Sequence, residues 1–158
     1  MSYLKMANLY FDIDGTLLDI DSGNAKEALA NGRFEDTVRR LGIHQLICVG
    51  TMTDVIRSAK EYDDSYDSLG VLFRICRGTF LDEYWFRDNI ILVHDSCNRA
   101  REIDLTSDWW YVDDLAEYYF KIADLDSEFK TNAGTRILVP TPNGDGTDIL
   151  SWMEEYIN

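Results

Sequence analysis

Asp12 and Asp14 stand two residues apart in Leu9-Tyr10-Phe11-Asp12-Ile13-Asp14-Gly15-Thr16, directly behind an apolar run. In an extended chain, side chains repeat every second residue, so both carboxylates can face one crevice. Gly15 allows a sharp turn there and leaves the backbone open to a ligand. Such a pair suits an aspartate nucleophile that passes through an aspartyl-phosphate, with the second aspartate moving protons. A second acidic pair, Asp113-Asp114, follows the apolar run Trp109-Trp110-Tyr111-Val112.

In open parallel sheets, ligands bind beyond the carboxyl ends of the strands, so the residues just after each apolar run carry the most information. Besides the four acids these are Gly50, Thr51, Met52 and Thr53, then His94-Asp95-Ser96, then Pro140-Thr141-Pro142. Crowded carboxylates raise one another's pKa unless they share a cation. A few hard oxygen ligands, with room left for water and phosphate oxygens, describe a Mg²⁺ site at Asp12, Asp14, Asp113 and Asp114. Each feature also has a plainer account. Asp12 and Asp14 can serve as turn formers, Asp113-Asp114 can cap a helix, and Thr51 or Thr53 can do the same. His94-Asp95-Ser96 cannot form a catalytic relay, because contiguous residues on an extended chain point in alternate directions.

The stretch Leu9 to Leu17, with its Asp12-Ile13-Asp14-Gly15-Thr16, resembles the first motif of the haloacid dehalogenase superfamily of phosphohydrolases. Trp110-Tyr111-Val112-Asp113-Asp114 resembles the acidic fourth motif of that family. The resemblance implies that Asp12 attacks phosphorus. Asp14 then protonates the leaving group and deprotonates the hydrolytic water. It places Mg²⁺ on Asp12, the backbone carbonyl of Asp14 and Asp113, with Asp114 as a further ligand or support. Thr51 resembles the second motif's phosphate-binding hydroxyl, and Thr53 is its rival. The family's third motif, a lysine ahead of the fourth strand, has no counterpart, since no lysine occurs between Lys60 and Lys121. Arg99 and Arg101 are the substitutes, Arg99 the preferred one, with Lys60 a further option. Only about thirty residues separate Thr16 from Leu46, room for one or two helices. The expectation for residues 18–45 is therefore at most a minimal helical cap over an open site, within a single domain spanning residues 1–158.

The elements that must position these residues read as strand-like runs alternating with helical patterns, the mark of an α/β fold. Strands are expected at Leu4 to Phe11, Leu46 to Val49, Ile90 to Val93, Trp109 to Val112 and Ile137 to Val139. Helices are expected at Phe34 to Leu41 behind an Asn31 cap, Thr53 to Tyr62, Cys97 to Ile103, Leu115 to Ala123 and Asp148 to Ile157. Residues 69–88 fit neither pattern well, and Leu69 to Phe73 can be strand or helix. Asp63-Asp64-Ser65 reads as a surface turn. The fold class is a doubly wound, mostly parallel sheet in three α/β/α layers, a Rossmann-like core.

With 29 acidic and 15 basic residues the formal charge is -14, which argues against a nucleic-acid polymer as partner. A small phosphate ester stays compatible, because a divalent cation reverses the local field. No apolar run approaches the ~20 residues of a membrane span, and Met1 to Lys5 does not open a signal peptide, so a cytoplasmic protein without membrane contact is expected. Cys48, Cys76 and Cys97 are expected to be reduced. The aromatics at Tyr84-Trp85-Phe86 mark a candidate contact surface, so an oligomer is possible. The sequence thus points to a Mg²⁺-dependent phosphohydrolase acting on a small phosphorylated substrate or a phosphoprotein. The alternative is a weakly active or non-catalytic domain that binds phosphate or a protein.

Overall fold

The computed structural model of the chain describes residues 6–61 and 78–157. Five strands, β1 (Ala7–Phe11), β2 (Gln45–Cys48), β3 (Ile90–Leu92), β4 (Asp108–Val112) and β5 (Ile137–Leu138), form one sheet in the order β3-β2-β1-β4-β5. Every pairing is parallel. The chain builds outward from β1 in one direction to β2 and β3, then returns to its other edge for β4 and β5. The strand order therefore reverses between β1 and β4, which is where doubly wound sheets open a ligand crevice.

Strict alternation along the strands makes the three layers. Leu9, Phe11, Leu46, Cys48, Trp110 and Val112 feed one core, while Tyr10, Ile47, Val49, Trp109 and Tyr111 feed the other. The first core is closed by α1 (Arg33–Arg40), α2 (Met52–Glu61), α3 (Glu83–Asn89) and α6 (Thr147–Trp152), through Phe34, Val38, Ile56, Phe86 and Trp152. The second is closed by a 3-10 turn (Ser96–Glu102), α4 (Ala116–Ile122) and α5 (Asp126–Asn132), through Ala100, Phe120 and Phe129. Helices on both faces bury both sides of the sheet, which is why its strands are continuously apolar.

Several local expectations change. Asn31 does not cap α1; Gly32, with φ 73°, takes that position, and Asn31 itself adopts φ 58°. Residues 96–102 form a 3-10 turn broken at Asn98 in place of a regular helix. Helix α5 was not legible because none of its residues is fully buried, so no apolar stripe marks it. Helix α3 begins where Asp82 accepts a hydrogen bond from the Trp85 amide (3.0 Å). Phe86 of the expected contact patch is a core residue, packed 4.6 Å from the Phe80 ring, and only Tyr84 is well exposed. The stripe of the last helix holds: Ile149, Met153 and Ile157 are buried, although the final turn, Met153–Ile157, widens to π geometry.

Residues 18–45 contain a short loop closed by the Leu18–Ala25 bridge, a 3-10 turn (Glu27–Leu29) and α1, which is the sheet's own crossover helix. Asp19 shapes the loop by accepting from the amides of Asp21 (2.8 Å) and Ser22 (3.3 Å). Among the described residues no helix is long and apolar enough to cross a membrane. Leu4, Asp63-Asp64-Ser65, Leu69 to Phe73, Cys76 and the side chain of Lys60 lie outside what the structure describes.

Phe120 is fully buried against Tyr111, at 5.2 Å between ring centroids, and against Phe129 at 6.0 Å. Phe120→Ala is expected to lower stability by about 3–5 kcal/mol, measured by urea unfolding.

Candidate active site

The register of the sheet brings the two acidic motifs together. Phe11 pairs with Val112, and the Asp12 amide continues the ladder by donating to the Val112 carbonyl at 3.1 Å. Asp12 and Asp113 therefore leave adjacent strands side by side. Asp12 is 5% exposed and Asp113 fully buried. Asp12, Asp113 and Asp114 each offer an oxygen, and these oxygens lie within 4.8 Å of one another. Asp14 is half-buried in the turn, where its backbone bridges Leu18, and its carboxylate is not part of that group.

Thr16 ties the two motifs. Its buried hydroxyl accepts from the Asp114 amide (3.1 Å) and lies 3.2 Å from Asp12 Oδ2 and 3.4 Å from Asp114 Oδ1. One proton can serve only one of these acids at a time. Two glycines make the close approach possible. A Cβ on Gly50 would stand 1.8 Å from Asp12 Oδ1, and one on Gly15, whose φ is +79°, would stand 2.4 Å from Asp114 Oδ2. From the sequence, Gly50 stands out only by its place after the second apolar run and Thr16 only as a motif residue, neither with a role.

Arg99 is the basic residue at the site. Its guanidinium is buried, donates to Asp113 Oδ2 (3.1 Å) and to the Ser96 carbonyl (2.8 Å), and lies 3.7 Å from Asp12 Oδ1. It also stacks on the Tyr119 ring at 3.7 Å. The tight turn at residues 96–102 aims Arg99 inward and Arg101 outward. Arg101 is exposed, its nearest acid is Asp124 at 4.0 Å, and it takes no part in the cluster. Asp113 accepts further bonds from the Tyr111 hydroxyl (2.8 Å) and the Leu115 amide (2.9 Å). Of the two threonines after β2, Thr51 is exposed just beyond the strand, whereas Thr53 is buried in the first turn of α2 with its hydroxyl unpartnered.

Burial, then the charge of Asp113, pushes the Asp12 carboxyl well above the usual carboxylate range, and Arg99 opposes this. Asp113 is raised chiefly by burial, against the pull of Arg99, the Leu115 amide and the Tyr111 hydroxyl. The Tyr111 hydroxyl is itself raised well above normal by burial and by Asp113. Arg99 stays charged: burial works against it, but Asp113 and Asp12 more than compensate. Burial and the Asp12 charge push the Cys48 thiol up to about 12, so it is an inert core residue.

The donor set fits a hard divalent cation. All three groups offer oxygen, and oxygens sharing one Mg²⁺ at ~2.1 Å are up to about 4.2 Å apart, within a small side-chain rotation of the spacing seen. Two strained carboxyls also gain most from a cation. Asp113 fits least directly, because Arg99, Tyr111 and Leu115 already engage its oxygens.

Gly50→Ala is expected to push Asp12 out of place, lowering stability by about 1–3 kcal/mol in urea unfolding. A carboxyl raised in the folded state binds its proton longer than in the unfolded chain. In chelator, stability is therefore fullest below the unfolded pKa of ~3.9 and falls as pH rises from there through the raised folded value. Asp12→Asn is expected to flatten this fall and to stabilise the metal-free protein at pH 7, read from unfolding midpoints between pH 4 and 8.

No family model, curated protein or solved structure matches the chain.

Proposed function

We propose that the chain is a Mg²⁺-dependent phosphohydrolase of the haloacid dehalogenase type, acting on a phosphate monoester through an aspartyl-phosphate. The observation that carries this reading is the convergence of Asp12 with Asp113 and Asp114 at the carboxyl ends of adjacent strands, with a buried arginine beside them. An acid-rich crevice at the switch point of a parallel sheet suits phosphoryl transfer, where positioning and electrostatics do most of the work.

In this reading the Asp12 carboxylate attacks phosphorus in line, held in its rotamer by the Thr16 hydroxyl and by the closeness of Gly50. Asp14, two residues on, gives a proton to the leaving oxygen and later takes one from water. In this reading Thr51, exposed beyond β2, donates to a phosphoryl oxygen, with the buried Thr53 hydroxyl as its rival. Mg²⁺, when bound to Asp12 with Asp114 and Asp113, supplies the positive charge that keeps Asp12 ionised and offsets charge on the phosphoryl oxygens. Arg99 holds Asp113 in place and adds positive charge beside the nucleophile.

A second reading, a domain that binds phosphate with little or no turnover, is favoured by one observation. Arg99 already gives Asp113 a cation and hydrogen bonds, which lessens its need for a metal.

Wild-type protein with Mg²⁺ is expected to hydrolyse a generic aryl phosphate, and Asp12→Asn to reduce kcat by on the order of 10⁴-fold or more with the circular dichroism spectrum unchanged. Wild-type-like turnover by that variant discards the mechanism; phosphate binding by the wild type without turnover favours the second reading.

A further inference from the structure

Beside the acids lies a cavity of about 270 Å³ walled by Gly15 and Asp114 on the acid side and by Ile20, Leu115, Val139 and Pro142. Lys26 completes the wall, and it is an unusual residue to find there. The residue is 4% exposed, its ammonium is not among the fully enclosed unpartnered atoms, and no described carboxylate pairs with it. Asp19, another acid on the wall, turns its Oδ1 to the amides of Asp21 and Ser22.

The backbone fixes Lys26 firmly. Its amide donates to the Leu17 carbonyl (3.0 Å), its own carbonyl accepts from Leu29 (2.8 Å) and Ala30 (3.1 Å), and Gly146 packs so tightly against it that an added Cβ would stand 3.2 Å from Lys26 Cβ. A donor held at the wall of a largely apolar cavity is the arrangement that orients a ligand.

We infer that this cavity receives the leaving group of the substrate, and that the substrate is a phosphate monoester of a small, ring-sized apolar alcohol or phenol bearing one carboxylate, which pairs with Lys26. This deepens the phosphohydrolase reading and rests on it. The phosphoryl group lies over Asp12 and Asp114, the ring fills the space between Ile20, Leu115, Val139 and Pro142, and its carboxylate meets Lys26. The volume sits just below the ~300 Å³ lower end of ligand pockets, which suits one ring with a short substituent.

Two non-hydrolysable probes test it, benzylphosphonate and 4-carboxybenzylphosphonate, titrated calorimetrically with Mg²⁺ into the full chain. The carboxylated probe is expected to bind wild type about tenfold more tightly, and Lys26→Met to bring the ratio to about one. Val139→Trp, at a half-exposed position that tolerates substitution, is expected to weaken both ring probes about fivefold or more relative to inorganic phosphate by filling the cavity. Equal affinity of the two probes for wild type overturns the inference. So does a ratio that survives in Lys26→Met, an unchanged pattern in Val139→Trp, or failure of both probes to bind. The binding ratio is independent of catalysis: an intact ratio without aryl phosphate turnover removes the phosphohydrolase reading and leaves the pocket, and turnover without a ratio does the reverse.

Discussion

The register between β1 and β4 places two carboxylates where neither would choose to be. Because Phe11 lies opposite Val112, Asp12 and Asp113 must emerge together, and both are buried. Like charges in a place of low polarity repel strongly, and the sheet gives them no freedom to separate. Much of the surrounding structure is an answer to that one constraint. Arg99 enters from one side with a cation, Tyr111 and the Leu115 amide donate to Asp113, and Thr16 hydrogen-bonds across the gap. What these leave uncompensated is a raised pKa at Asp12 and Asp113, a standing preference for a proton or another cation.

The helical layers matter mainly through how they support those donors. Tyr111 points into the second core, where Phe120 meets its ring edge-on, so packing beneath the sheet fixes the hydroxyl that holds Asp113. Arg99 is held by the Ser96 carbonyl of its own turn and by the face of Tyr119 from the next helix. Its geometry is thus set by elements that touch neither acid. A crevice built this way is rigid at its base, while its rim is made of the loop at residues 19–25 and the segment after β5.

The base of this arrangement was legible in the sequence and the rim was not. Strands announce themselves by alternation and by apolar runs, so the acids at their ends could be found and their meeting expected. Arg99 could be named from its residue type and place before β4, but its inward aim depends on a 3-10 turn with a break at Asn98, which no periodicity announces. The same turn is why Arg101, two residues on, points to solvent. Thr16 was visible only as a letter in a motif, because its partner Asp114 lies 98 residues away. Gly50 matters through an atom it lacks, and Lys26 through the acid that no described residue offers it. Absences of that kind become readable only once the neighbours are in place.

A strongly acidic chain that handles an anionic substrate needs its positive charge concentrated where the substrate goes. The described part of this crevice offers two buried cations, and they are not equivalent. Arg99 is bound up with Asp12 and Asp113, so its charge serves chiefly to let the acids coexist. Lys26 shares the cavity wall with Asp114 and no described acid pairs with it, so under the proposed reading its charge acts on whatever enters. Under the proposed reading the two divide the work. A guanidinium with its fork of donors suits the fixed carboxylates, and a compact ammonium on a flexible stem suits a ligand that comes and goes. Under the same reading the surplus of acid elsewhere repels anions that find neither cation nor metal, so selectivity comes from the same charge that argues against a nucleic-acid polymer.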